Sequence, residues 1–101
     1  MYDSSNMKKL PKLGADADAA WKAFLKFDEA ALADGAIPKK YKELMAVAVA
    51  LATQCPYCIE LHSKAARKAG ASEAELAEAA FVSAAIKAGG ALTHATHFAA
   101  D

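Results

Sequence analysis

Residues 43–62 read ELMAVAVALATQCPYCIELH, and this stretch decides the fold. Residues 44–52 are nearly all apolar, and their alanine content favours a helix over a strand. Because no polar face interrupts this run, we expect the helix to be surrounded by others. Pro56 suits the first turn of a helix, so a second helix should begin at the Cys55–Pro56 step.

Glycine and proline residues divide the chain on either side into segments of helical length, without a convincing pair of strands. We predict helices over about 16–34, 38–54, 56–69, 72–89 and 91–99. Gly35 fits a C-terminal cap for the first of them. Ser72 followed by Glu75 is a capping box that starts the fourth. The sequence therefore predicts an all-α fold of about five helices.

The size of the chain bounds how much core it can bury. It has 101 residues, and although 55% are hydrophobic, many of these are alanines with little apolar area. We predict a single domain over residues 1–101, in which residues 1–14 form an N-terminal extension. Trp21, Phe24 and Phe27 would be core or interface anchors. Self-association is expected for so small a core.

Charge and hydropathy exclude several classes of partner. Twelve Lys and Arg residues balance twelve Asp and Glu residues, so no nucleic-acid binding is expected. The first twelve residues contain no apolar segment of the kind found in signal peptides. The longest apolar run, 44–53, is well short of the roughly 20 residues that span a membrane. We therefore predict a cytoplasmic protein without a membrane partner.

The CxxC pair is the main chemical feature. Cys55 and Cys58 would lie at a helix N-terminus, where the positive end of the dipole favours thiolate. His62 follows Cys58 by four residues and shares its helix face, so it can accept the thiol proton. In a cytoplasmic protein such a pair is typical of a catalytic or metal-binding site rather than a structural disulfide.

Glu43 lies on the preceding, largely apolar helix, where it could face an interior group such as a histidine. The alternative is a solvated carboxylate near Lys39 and Lys42. Spacing alone leaves both interpretations open.

Glu43, Cys55, Cys58 and His62 together form the pattern E-x11-C-x2-C-x3-H. This pattern resembles the motif of the AhpD-like alkylhydroperoxidases, within the carboxymuconolactone decarboxylase superfamily. The resemblance implies a compact AhpD-like helical domain that oligomerises through helix packing, as a trimer or hexamer. It also implies a thiol peroxidase that requires no metal and no organic cofactor.

The same resemblance implies a role for each residue of the motif. Cys58 would attack a hydroperoxide and become a sulfenic acid, and Cys55 would then form a disulfide with it. His62 and Glu43 would be the relay that deprotonates Cys58. A dithiol donor, such as a lipoyl-bearing protein, would reopen the disulfide. The positive end of the helix dipole instead favours Cys55 as the more acidic of the two thiols. Tyr57 stands at a position where some peroxidase members of the family have a histidine.

Two other functions remain open from the sequence. A dithiol/disulfide oxidoreductase or redox adaptor would use the same cysteines without significant peroxidase activity. A zinc site would combine Cys55, Cys58 and His62 with His94 or His97. The two C-terminal histidines could otherwise form a pH-sensitive or metal contact at a subunit interface, or be ordinary polar residues.

Overall fold

The structure, a computed structural model, describes residues 2–101. The described residues form α-helices and short 3-10 segments and no strand, which confirms the all-α prediction. The α-helices are α1 (Leu10–Ala15), α2 (Asp18–Leu32), α3 (Lys39–Thr53), α4 (Pro56–Lys68) and α5 (Glu73–His94). The 3-10 segments are Ser4–Lys9 and Ala95–His97.

Helix α3 is the centre of the fold and packs against both α4 and α5. Its buried residues are Glu43, Val47 and Ala50, which recur at helical spacing on one face. Ser83 of α5 is also buried, and its hydroxyl donates a hydrogen bond to the Ala48 carbonyl at 2.9 Å. The opposite face of α3 is exposed. Other helices therefore cover α3 on one face only, and the prediction that helices surround it is correct for that face alone.

The turn between α3 and α4 presents the first cysteine. Gln54 adopts the left-handed conformation with φ 57°, which ends α3. The backbone N–H of Cys55 then donates to the Ala50 carbonyl at 3.0 Å. Cys55 itself is extended and caps α4, whose first residue is Pro56, as predicted from the sequence.

Two predicted helix ends are wrong. The chain does not break at Gly89–Gly90, because α5 continues to His94 and residues 95–97 extend it as a 3-10 turn. A glycine inside a helix costs only about 1 kcal/mol, and alanines flank this pair, so the predicted separate helix over 91–99 does not form. Gly35 is not a cap, since α2 ends at Leu32 with Ala33 extended beyond it.

The N-terminal segment, residues 2–10, is folded along its length, and Met1 lies outside the described residues. Helix α1 packs against α2. At their contact Gly14 is buried beneath Trp21, and a Cβ added at position 14 would lie 2.4 Å from the indole ring. This approach requires a residue with no side chain.

Helix α5 leaves a large apolar surface uncovered. Four of its large apolar side chains are exposed, namely Phe81, Val82, Ile86 and Leu92. The segment Glu73–His97 is long and apolar enough to cross a membrane by length and composition alone. Core helices of soluble proteins pass the same test but are mostly buried, whereas only 6% of the apolar window of this segment is buried. The long dimension of the monomer is 55 Å.

Candidate active site

The two cysteines contact each other at the N-terminus of α4. Both are free thiols and both are half-buried. The backbone N–H of Cys58 donates a hydrogen bond to Cys55 Sγ, at 3.3 Å from N to S. Cys55 therefore takes the place that a serine or aspartate takes at many helix N-termini, and its sulfur receives an N–H group otherwise left without a partner.

The surroundings of the two thiols shift their pKa values in opposite directions. Hydrogen bonds from the Cys58 thiol, and then from the Cys58 backbone N–H, lower the pKa of Cys55. The hydrogen bond to Cys55, together with burial, raises the pKa of Cys58. The first thiolate of the pair is therefore favoured on Cys55, and the hydrogen bonds between the two residues are the main cause.

Glu43 and His62 form a pair between α3 and α4. Glu43 is 2% exposed, and its Oε2 lies 2.7 Å from His62 Nδ1. Its other oxygen lies 3.3 Å from Lys39 Nζ. Glu43 is thus interior, as one of the two sequence interpretations held, while Lys39 also reaches it. Because a carboxylate can only accept, Nδ1 carries the hydrogen and Nε2 is left as a proton acceptor.

A cavity of about 580 Å³ opens beside Cys58 and His62. Most of its wall is apolar and comes from three parts of the chain: the N-terminal segment, α2 and α4. The apolar side chains are Met7, Leu10, Trp21, Phe24, Leu25 and Leu61. Among the described residues, its wall includes Cys58 but not Cys55. A molecule in the cavity would therefore meet the Cys58 sulfur first.

Tyr57 anchors the N-terminal segment on α4. Its hydroxyl accepts hydrogen bonds from Asn6 Nδ2 at 3.0 Å and from the Asp3 backbone N–H at 3.4 Å. The ring of Tyr2 packs edge-on against that of Tyr57, with centroids 4.8 Å apart, and the Tyr2 hydroxyl donates to Glu60. Sequence reasoning missed these contacts because residues 1–14 appeared only as an extension.

The described residues give no support to the zinc alternative. Nowhere in residues 2–101 do three His, Cys, Asp or Glu side chains come together in a group that could hold a metal ion. His94 and His97 instead contact each other at the end of α5, with Nδ1 of the first 3.2 Å from Nε2 of the second. Their rings stack at 5.3 Å.

Both the sequence and the fold of this chain match known proteins. Residues 18–101 match the model of the carboxymuconolactone decarboxylase family. The chain is 45% identical over 92 residues to a Paracoccus denitrificans protein named uncharacterized protein 4 in cox locus, covering 91% of this chain and 80% of that protein.

Two solved structures share the fold. One is the crystal structure of a carboxymuconolactone decarboxylase family protein from Legionella pneumophila, with a TM-score of 0.79 and 35% identity. The match covers 91% of this chain and 82% of the Legionella pneumophila chain. The other is a protein from Methanobacterium thermoautotrophicum, with a TM-score of 0.78 and 36% identity. The match covers 82% of this chain and 93% of that chain.

Proposed function

Because the chain belongs to the carboxymuconolactone decarboxylase family, we propose that it is a thiol-dependent hydroperoxidase of the AhpD-like type. One observation carries the proposal: Cys58 opens on the same cavity as His62, and the buried Glu43 holds His62 with Nε2 free to accept a proton. A nucleophile beside an oriented base is the arrangement that covalent catalysis requires.

The first step oxidises Cys58. His62 Nε2 takes the thiol proton, and the Cys58 sulfur attacks the distal oxygen of a hydroperoxide. The S–O bond forms as the O–O bond breaks, so sulfur loses two electrons and the peroxide gains them. The hydroperoxide hydrogen stays on the transferred oxygen as a sulfenic acid. His62 returns its proton to the alkoxide, which leaves as an alcohol.

The second step uses the other thiol of the pair. Cys55, as thiolate, attacks the sulfenic sulfur of Cys58, which lies within its reach at the start of α4. The S–S bond forms, the S–O bond breaks, and the departing hydroxide takes a proton to become water. Because Cys58 lines the cavity and Cys55 does not, the geometry of the pair fits a division of labour in which Cys58 meets the peroxide and Cys55 resolves it.

A dithiol donor completes the cycle by thiol–disulfide exchange, which returns two electrons and two protons to the cysteines. A lipoyl-bearing protein is one donor of this chemistry. The cytoplasmic location stays a prediction, and such a compartment would keep dithiol donors reduced.

Single cysteine variants test this assignment. One equivalent of cumene hydroperoxide should remove two thiols and two mass units from the reduced wild-type protein, as intact mass and thiol titration measure. Cys58→Ser should consume no peroxide. Cys55→Ser should complete one turnover and stop as a sulfenic acid that dimedone traps. Full, equal turnover by both variants would rule out the proposed roles.

The dithiol/disulfide oxidoreductase is the second candidate, and the lowered pKa of Cys55 at a helix N-terminus favours it. Such an enzyme would reduce a dithiol-linked disulfide far faster than any hydroperoxide. Steady-state turnover of both substrates by the same preparation separates the two functions.

A further inference from the structure

We propose that residues 2–10 are a specificity element, which completes the cavity beside Cys58 as a binding site for the apolar body of a neutral organic hydroperoxide. The inference rests on the proposed function and narrows its substrate class. Hydrogen peroxide needs no such site, whereas a volume of about 580 Å³ lies within the range of pockets that hold organic ligands.

The N-terminal segment supplies part of the cavity wall directly. Met7 and Leu10 face the cavity together with Trp21 of α2 and Leu61 of α4. Met7 and Leu10 precede residue 18, where the match to the family model begins. This part of the wall therefore lies outside the segment that the family model matches.

Tyr57 fixes the position of that wall relative to the sulfur. Its hydroxyl accepts from Asn6 and from the Asp3 backbone, and Tyr57 itself immediately precedes Cys58. The segment is thus held on the same turn of helix that presents the nucleophile. Its register on α4 sets how far Met7 and Leu10 lie from the Cys58 thiol.

The distribution of polar groups orients a ligand in the cavity. Cys58 and His62 lie in a wall that is otherwise mostly apolar, so the O–O group would point toward them while the carbon skeleton packs against the rest. Asp28 also lines the cavity, and its carboxylate would repel a second negative charge. The site therefore favours neutral aryl or branched alkyl hydroperoxides over those that carry a carboxylate.

Binding can be measured without turnover because Trp21 is the single tryptophan of the chain and lies in the wall. The probe is cumyl alcohol, the product of cumene hydroperoxide, added to the reduced full chain. We expect a saturable change in Trp21 fluorescence. The double variant Met7→Ala/Leu10→Ala should raise the Kd roughly tenfold, since lost apolar contacts in a pocket are worth about this much.

Leu13→Ala is the matched control, because Leu13 lies three residues beyond residues 2–10, is 66% exposed and is not part of the cavity wall. Its Kd should equal that of the wild type. Leu10→Phe is a second variant that fills the cavity instead of enlarging it. It should also weaken binding, which separates loss of the site from loss of the fold when circular dichroism is unchanged.

Activity gives an independent readout. The ratio of kcat/KM for cumene hydroperoxide to kcat/KM for hydrogen peroxide should fall in Met7→Ala/Leu10→Ala and stay constant in Leu13→Ala. Binding that responds to the variants in a protein without peroxidase activity would support the site and contradict only the proposed chemistry. Peroxidase activity without cumyl alcohol binding, or with binding that the double variant leaves unchanged, would overturn the inference.

A second copy of the chain seated in the cavity is the competing occupant. Trp21 fluorescence would then change with protein concentration and not with cumyl alcohol. That result would also overturn the inference.

Discussion

Cys55 and Cys58 differ in their hydrogen bonds, and this difference bears on their reactivity. The Cys55 sulfur accepts hydrogen bonds from the thiol and the backbone N–H of Cys58, whereas the Cys58 thiol is a donor. A sulfur that accepts hydrogen bonds is stabilised in its thiolate form. A thiol that donates a hydrogen bond loses that bond when it ionises, so its thiolate is not stabilised in this way. The proposed peroxide chemistry therefore depends on His62 to draw the proton from Cys58.

Alkylation of the reduced protein should reveal this asymmetry, because thiolate is the species that iodoacetamide modifies. The lowered pKa of Cys55 means that it becomes thiolate at a lower pH than an ordinary cysteine, and the raised pKa of Cys58 means that it follows later. As pH rises from about 6 to about 9, peptide mass mapping should show Cys55 modified first.

The Cys55→Ser variant provides the control for that experiment. It removes the thiolate that holds the Cys58 proton, so the midpoint for Cys58 modification should move to lower pH. Modification of Cys58 ahead of Cys55 in the wild type would show that the hydrogen bonds described above do not govern the pair.

At the scale of elements, the interactions that the sequence predicts correctly are local. The capping box at the start of α5 forms as expected: the Glu75 N–H donates to Ser72 Oγ at 3.1 Å, and the Ser72 N–H donates to Glu75 Oε1 at 2.9 Å. Pro56 likewise begins α4. Both signals involve residues within one turn, so they depend little on the rest of the fold.

Loss of this cap should lower stability by a measurable amount. Ser72→Ala removes the acceptor of the Glu75 N–H, so we expect the free energy of unfolding to fall by about 1 kcal/mol. Urea denaturation at a fixed protein concentration measures the change. Ser72→Asp restores an acceptor and should recover most of the loss; an unchanged midpoint in Ser72→Ala would mean that the cap contributes nothing.

Features that depend on packing between elements are predicted less well. The motif places Glu43 and His62 nineteen residues apart, and only the packing of α3 on α4 brings their side chains to 2.7 Å. The family resemblance supplied that pairing, since spacing left it open. Nothing local marked Asn6 as a partner of Tyr57, because that contact spans fifty-one residues and joins the chain's start to its centre.

The whole molecule has more apolar surface than one copy can cover. On α5, Val82 is 60% exposed and Ile86 is 73% exposed, and they are four residues apart on one helix face. Exposed apolar surface of this kind marks a protein or membrane contact. We propose that other copies of the chain cover it through helix packing, in a trimer or hexamer.

Charge placed on this surface should break the assembly. Val82→Asp and Ile86→Asp each put a carboxylate where an apolar contact would form, so both should shift the protein toward monomer in sedimentation velocity runs. Glu29→Gln, at an exposed position on α2 instead of α5, should leave the sedimentation coefficient unchanged. A wild-type monomer at micromolar concentration that instead partitions onto lipid vesicles would contradict the proposal.

The contact between Gly14 and Trp21 limits how this molecule can evolve. An indole fits at position 21 only while position 14 has no Cβ, so the two positions cannot drift independently. Any lineage that replaces Gly14 must first shrink or reorient the side chain at position 21. Because Trp21 is part of the cavity wall, the shape of the cavity changes with it. A historical change of substrate could therefore begin at position 14, which does not itself line the cavity.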